Sequence, residues 1–194
     1  MSGLKMVKGL TEKQGRLLLT LARETLRYKM GEGTAPTAPS DPALSVQAAT
    51  FVTLKKSGQL RGCIGNLAPV GPLWQGVRDN AINAALNDYR FSALTAEELP
   101  TVHLDISILS EALPLSYQDP EELPVKLRPG IDGVILRDGH RSATFLPQVW
   151  EQLSSPEQFL DHLCLKAGLP RDRWREKPLD ILTYQVQCFA EEQK

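Results

Sequence analysis

The run Leu60-Arg61-Gly62-Cys63-Ile64-Gly65 alternates apolar and polar residues with the two-residue period of a β-strand. Just upstream, Ala48 to Lys55 has β-branched and apolar character. Lys56-Ser57-Gly58 separates it from Gln59 to Leu67, so the spacing predicts a hairpin that presents the cysteine. On such a strand Arg61 and Cys63 share one face, and Leu60 and Ile64 point the other way, toward a core. The missing side chains of Gly62 and Gly65 let a second backbone or a ligand come close. A guanidinium beside a thiol favours the thiolate, the nucleophilic form of cysteine. The same residues also suit an Arg-Cys pair on a half-buried strand with glycines at a bulge, and spacing alone leaves both readings open.

Around this hairpin the pattern is mixed. A helix is predicted from Glu12 to Lys29, N-capped by Thr11, with Leu17, Leu18, Leu21, Ala22 and Leu26 as its apolar stripe. Gly31 to Ala43 reads as a loop. Pro72 opens a second helix in which Leu73, Val77, Ala81, Ala84 and Ala85 repeat up to about Asp88. A short helix at Ala96 to Leu99 leads into a strand, Val102 to Leu109. Asp119 to Val125 forms one or two helical turns. Asp138-Gly139-His140-Arg141 turns a second hairpin, and helical stretches follow near Gln148 to Leu153 and over Pro156 to Ala167. The chain closes with one strand from about Ile181 to Ala190. Regular strand-helix-strand units are scarce, which argues for a mainly antiparallel α+β fold.

With 194 residues, 42% of them hydrophobic, the chain can bury a core as a single domain, with room for a small lobe inserted between the main sheet elements. A net charge of −1 without a Lys/Arg block gives no footprint for phosphate backbones, so nucleic acid is not expected as a partner. Met1 to Lys5 carries no signal-type apolar segment, and no apolar run is long enough to span a bilayer. A cytoplasmic protein without membrane contact is expected. Cys63, Cys164 and Cys188 are odd in number and widely spaced, which predicts three free thiols, with Cys164 and Cys188 as core fillers. No metal-ligand spacing and no phosphate-loop motif is present, so no metal is expected and the cofactor stays unassigned.

Several polar residues could join Cys63. Asn80 lies one turn from Asn83 on the second helix and could offer an amide at a cleft, or simply belong to a solvated face. Asp88 and Arg90 sit where that helix ends and could pair with each other, cap the helix, or reach Arg61. Lys166, near a helix C-terminus, suits the helix dipole and is a weaker candidate. His103, Asp105 and Ser107 alternate along one strand, about 7 Å apart, too far for a Ser-His-Asp relay, although Asp105 or Ser107 could face the cleft singly.

Beyond the cysteine run, the chain carries Asn80 with Ala84-Ala85, Asp88-Tyr-Arg-Phe91, Ile106-Ser-Ile-Leu109, Phe145-Leu-Pro-Gln-Val149 and Lys166-Ala-Gly-Leu-Pro170. In order and spacing these motifs resemble the AMMECR family, whose bacterial branch is protein A of the AmmeMemoRadiSam system. The likeness runs from about residue 12 to 190. It implies an antiparallel sheet flanked by helices, a smaller lobe, and a cleft between them. On those motifs Cys63 and Arg61 would be catalytic, and Gly62, Gly65, Asn80, Asp88, Arg90, Ser107 and Gln148 would meet substrate. The system's name implies a Memo-like protein and a radical S-adenosylmethionine protein as partners. Two functions fit: an enzyme or enzyme component whose Cys63, assisted by Arg61, attacks an electrophilic group of an unknown small molecule, or a non-catalytic module that holds an anionic small molecule or docks a protein on the same face.

Overall fold

The structure, a computed structural model, describes residues 9–192, so the expectation drawn from Met1 to Lys5 lies outside the described residues. The chain divides into two compact units, one formed by residues up to Ser110 with the segment from Gln187 onward, the other by Glu111–Val186. The fold is α+β, with the antiparallel strands divided between two four-stranded sheets.

In the first unit, α1 spans Glu12–Lys29 behind a capping box, in which the Thr11 hydroxyl accepts from Gln14 N–H and the Gln14 side chain accepts from Thr11 N–H. The strands β1 (Ala49–Lys56) and β2 (Gln59–Gly65) form the expected hairpin. Ser57 and Gly58 take φ of 50° and 77°, the left-handed pair that a two-residue turn matching strand twist requires. Helix α2 covers Leu73–Leu86 and strand β3 covers Val102–Leu109. The sheet runs β2-β1-β3 and is completed by β8 (Val186–Ala190), the last strand of the chain. Leu18 and Leu26 of α1 and Val77 and Ala81 of α2 pack with Val52, Leu54, Leu104 and Ile106 into one core, so both helices cover the same sheet face. The poorest helix former in α1 is Gly15, a cost of about 1 kcal/mol relative to alanine. A Cβ there would lie 2.0 Å from the ring of Phe189, so the glycine makes room for β8's one buried aromatic.

The hairpin departs from simple alternation. Lys55 pairs with Leu60 while Leu54 pairs with Gly62, which leaves Arg61 as the extra residue of a β-bulge. Because Thr53 and Lys55 share a face, and Cys63 and Leu60 lie opposite them, Leu60 falls on the Cys63 face and is exposed. The expectation of Leu60 in the core is therefore overturned by one inserted residue, and Arg61, the inserted one, is drawn to Glu98 beside Lys56. Ile64 does pack against the core, and Gly62 takes the remaining inward position.

The second unit holds the sheet β4-β7-β5-β6, made of Leu113–Pro114, Asp180–Tyr184, Gly133–Asp138 and Arg141–Phe145 respectively. Its helices are α3 (Leu123–Lys126), α4 (Pro156–Lys166) and α5 (Arg173–Glu176). Trp150 stacks on Phe159 at 3.8 Å in its core, beside the fully buried Cys164. The single strand expected from Ile181 to Ala190 is two strands in different sheets, β7 and β8. Burial marks the break: Ile181 and Phe189 are inward at odd positions, whereas Tyr184 is inward at an even one.

Candidate active site around Cys63

Strand β2 is the edge of its sheet. The backbone N–H and C=O of Cys63 both point to the open side, where an edge strand leaves such groups unpaired. The segment just after α2 supplies both partners. The buried Asp88 carboxylate accepts from Cys63 N–H at 2.9 Å, and Arg90 Nη2 donates to the Cys63 carbonyl at 3.1 Å. The two side chains also bond each other, Arg90 Nε to Asp88 Oδ1 at 2.9 Å and Nη2 to Oδ2 at 2.7 Å. This bidentate guanidinium, with the Cys63 amide, holds the Asp88 carboxyl well below the usual carboxylate range, and the same pairing raises Arg90. Asp88 is thus an ionised, saturated acceptor and not a general base.

On the side away from this edge Cys63 faces Thr53. With its backbone bonds turned outward, Cys63 forms a non-hydrogen-bonded pair with Thr53, the closer of the two antiparallel pairings. The Thr53 hydroxyl donates to Cys63 Sγ at 3.2 Å. Asp105 continues the same row on β3 and is paired with Lys55 Nζ at 2.5 Å. Cys63 is half-buried, and its side chain belongs to neither helix-covered core.

Arg61 is occupied elsewhere. Its Nε and Nη2 form a bidentate pair with Glu98 at 2.8 and 2.9 Å, and Nη2 also donates to the Ser92 carbonyl. Glu98, held by Arg61 and Lys56, has its pKa lowered to about 2. The guanidinium that bonds Cys63, at its carbonyl and not at its sulfur, is that of Arg90, while the bonds of Arg61 go to Glu98 and Ser92. Phe91 sits under both arginines, with ring-centroid distances of 5.9 Å to Arg61 and 5.5 Å to Arg90.

A family model for AMMECR1 matches residues 19–189. The chain belongs to the AMMECR1 family. Among its relatives, a protein of Thermofilum pendens is 38% identical over 94% of this chain and 92% of its own length. A protein of Methanopyrus kandleri is 35% identical over 97% and 93% respectively. The crystal structure of an uncharacterized protein from Pyrococcus horikoshii superposes with a TM-score of 0.85 at 32% identity, covering 94% of both chains.

Of the residues that the AMMECR1 motifs nominated, the structure brings Cys63, Asp88 and Arg90 into direct contact. The remaining ones are placed differently. Asn80 is buried, and its amide donates to the carbonyl and the hydroxyl of Thr50, so it ties α2 to β1. The space over Gly62 is filled by the Ala84 carbonyl of α2, 2.1 Å from where a Cβ would lie, and that over Gly65 by the Phe51 ring and the Thr50 carbonyl. Both glycines admit the protein's own atoms on the side a Cβ would occupy. Ser107 is buried one row from Cys63, 3.6 Å from the Sγ of Cys188, and Gln148 is exposed on a 3-10 turn of the second unit. Cys188, expected in the core, is exposed because β8 turns Phe189 inward and its neighbour outward. Lys166 donates to the Thr144 carbonyl and lies over Phe145. A cavity of about 590 Å³ in the first unit is lined by Arg23, Leu99, Val102, His103 and Glu191, and Cys63 does not line it. Among the described residues no group of three His, Cys, Asp or Glu side chains is arranged for a metal, and no helix is long and apolar enough to cross a membrane.

Sequence reasoning missed Thr53 and Glu98. Thr53 lies four residues before the turn, and in an unbulged hairpin it would oppose Gly62, so only the bulge gives it Cys63.

Proposed function

We propose that this protein is an enzyme, or a component of one, in which the Cys63 thiol is the reacting group. The observation that supports this is the three-point hold on one half-buried residue: Asp88 on its N–H, Arg90 on its carbonyl, Thr53 on its sulfur. Holding a nucleophile in one geometry lowers the entropy cost of attack. In the reaction the thiolate sulfur attacks an electrophilic carbon, the C–S bond forms, and the leaving group departs with the bonding pair. Thr53 supplies the hydrogen bond that a charged sulfur accepts. The site works in the cytoplasm on a small molecule, and the family resemblance suggests a Memo-like protein and a radical S-adenosylmethionine protein as partners.

A second reading, a non-catalytic binding or assembly module, is favoured by one feature: Asp88 and Glu98 are each saturated by arginine, which leaves neither free to take a proton. An iodoacetamide time course followed by mass spectrometry separates the two. For an enzyme, Cys63 is modified within minutes in the folded protein and Thr53→Val slows it several-fold. Slow modification of Cys63, unaffected by Thr53→Val, turns the assignment to the binding module. Co-purification of the chain with a Memo-like and a radical S-adenosylmethionine protein tests the partnership, and separate elution of all three from size exclusion rejects it.

A further inference from the structure

We infer that the Cys63 site selects small molecules that carry a carboxylate or phosphate next to the reacting carbon, an inference that rests on Cys63 being the reacting group. Two ion pairs flank Cys63, Lys55–Asp105 on its sheet face and Arg90–Asp88 at its strand edge, while Lys56–Glu98 stands at the hairpin end with Lys56 on the opposite face; in each pair the cation is the more exposed partner. Arg90 is 41% exposed and Asp88 2%; Lys55 is 45% exposed and Asp105 24%; Lys56 is 47% exposed and Glu98 17%. A ligand approaching this surface therefore meets positive charge first, although the whole chain carries −1.

Two of these cations are placed to act on a reagent at the sulfur. Lys55 lies on the same sheet face as Thr53 and Cys63, and it leans toward Asp105 in their row. Arg90 is bonded to the Cys63 carbonyl itself and uses Nε and Nη2 for its bonds to Asp88 and Cys63, while Nη1 takes no bond from the described residues. Its buried counter-ion fixes the orientation of the guanidinium, so the remaining N–H edge is presented without a further loss of side-chain freedom. Lys56, at the hairpin end, adds to the field from farther away. A partly exposed cation beside a reacting centre enriches a monoanion by about threefold to tenfold, and salt screens the effect.

The test compares iodoacetate with iodoacetamide on the whole chain. In both, sulfur attacks the carbon that bears iodine, iodide leaves with the bonding pair, and the thiol proton goes to solvent; only the charge of the reagent differs. The ratio of iodoacetate to iodoacetamide rates at Cys63 is expected to exceed that of glutathione about threefold to tenfold at low ionic strength, and to approach it at about 0.5 M salt. Lys55→Gln and Arg90→Gln should lower the ratio. Arg128→Gln, which alters an outward arginine of the second unit, should not. Removing Arg90 leaves Asp88 buried without its partner, so the salt series on the unsubstituted protein and the Lys55 variant stand without it. A ratio equal to that of glutathione at low salt overturns the inference. If Cys63 reacts with neither reagent, the reading of Cys63 as the reacting group fails, and titration with inorganic phosphate still decides the anion site. Saturable shifts of the Cys63 and Arg90 amide resonances keep it, and their absence rejects it.

Discussion

Cys63 and Cys164 are the same residue in opposite surroundings. Cys164, on α4, is fully enclosed by aliphatic and aromatic side chains, and that burial pushes its thiol up to about 11. It is a small apolar core residue that happens to contain sulfur. Cys63 stands on an edge strand, half-exposed, with polar partners on its N–H, its carbonyl and its sulfur. A packed core excludes water and leaves a thiol inert, whereas an edge strand leaves backbone groups unpaired that charged side chains must then satisfy. The Asp88–Arg90 pair does this at one residue, and the same bonds that protect the sheet edge also fix the cysteine.

The contrast can be broken by removing the clamp. Asp88→Ala removes the acceptor of the Cys63 N–H and leaves the partly exposed Arg90 without its partner, an expected cost of about 1.5–3 kcal/mol by urea denaturation. Loss of hydrogen-exchange protection at the Cys63 amide should accompany it. A cost below 1 kcal/mol, on the order of a surface pair, would show that the clamp holds nothing.

Accessibility should differ between the two thiols by at least about a hundredfold, about 2.7 kcal/mol, because Cys164 reacts only when its unit opens. Iodoacetamide labelling of the folded protein should mark Cys63 well before Cys164, with Cys188 also labelled because it is exposed. Equal rates at Cys63 and Cys164 would erase the distinction.

The alkaline limb sharpens it from the other side. The Cys164 thiol has its folded pKa raised from 9.0 to about 11, so its contribution is fully present below the unfolded value and is lost as pH rises from about 9 through 11. Cys164→Ala should lower stability by roughly 1–2 kcal/mol at pH 7 and flatten the decline between pH 9 and 11. A parallel decline in the variant would remove Cys164 from the alkaline transition.

The smallest expected effect concerns Arg61. Since its guanidinium is bonded to Glu98 and Ser92, Arg61→Ala should cost about 1–2 kcal/mol of stability and change the Cys63 alkylation rate less than about twofold. A tenfold fall would restore Arg61 as the activating cation.

Local signals were legible wherever a few neighbouring residues decide the outcome. Thr11 and Gln14 cap α1 at the expected residue, Ser57-Gly58 turns the hairpin, and the alternation of Leu104, Ile106 and Ile108 marks β3. Cys164 is buried as the apolar pattern of its helix indicates. The expected single strand at the end of the chain failed at Tyr184, where the phase of burial slips and the two halves join different sheets. No local pattern names the sheet a strand will join.

The Cys63 site shows the same division. The sequence by itself determined that a hairpin presents Cys63 and that Asp88 and Arg90 end the following helix, because alternation, turn residues and helical spacing are short-range properties. Tertiary structure decided which guanidinium meets the cysteine. A single bulged residue turned Leu60 outward and carried Arg61 to Glu98, and the close approach of α2 over Gly62 set the Asp88 segment against the edge of β2. Hydrogen bonds at a sheet edge are satisfied by whichever side chains packing brings there, and packing depends on residues far apart in the chain.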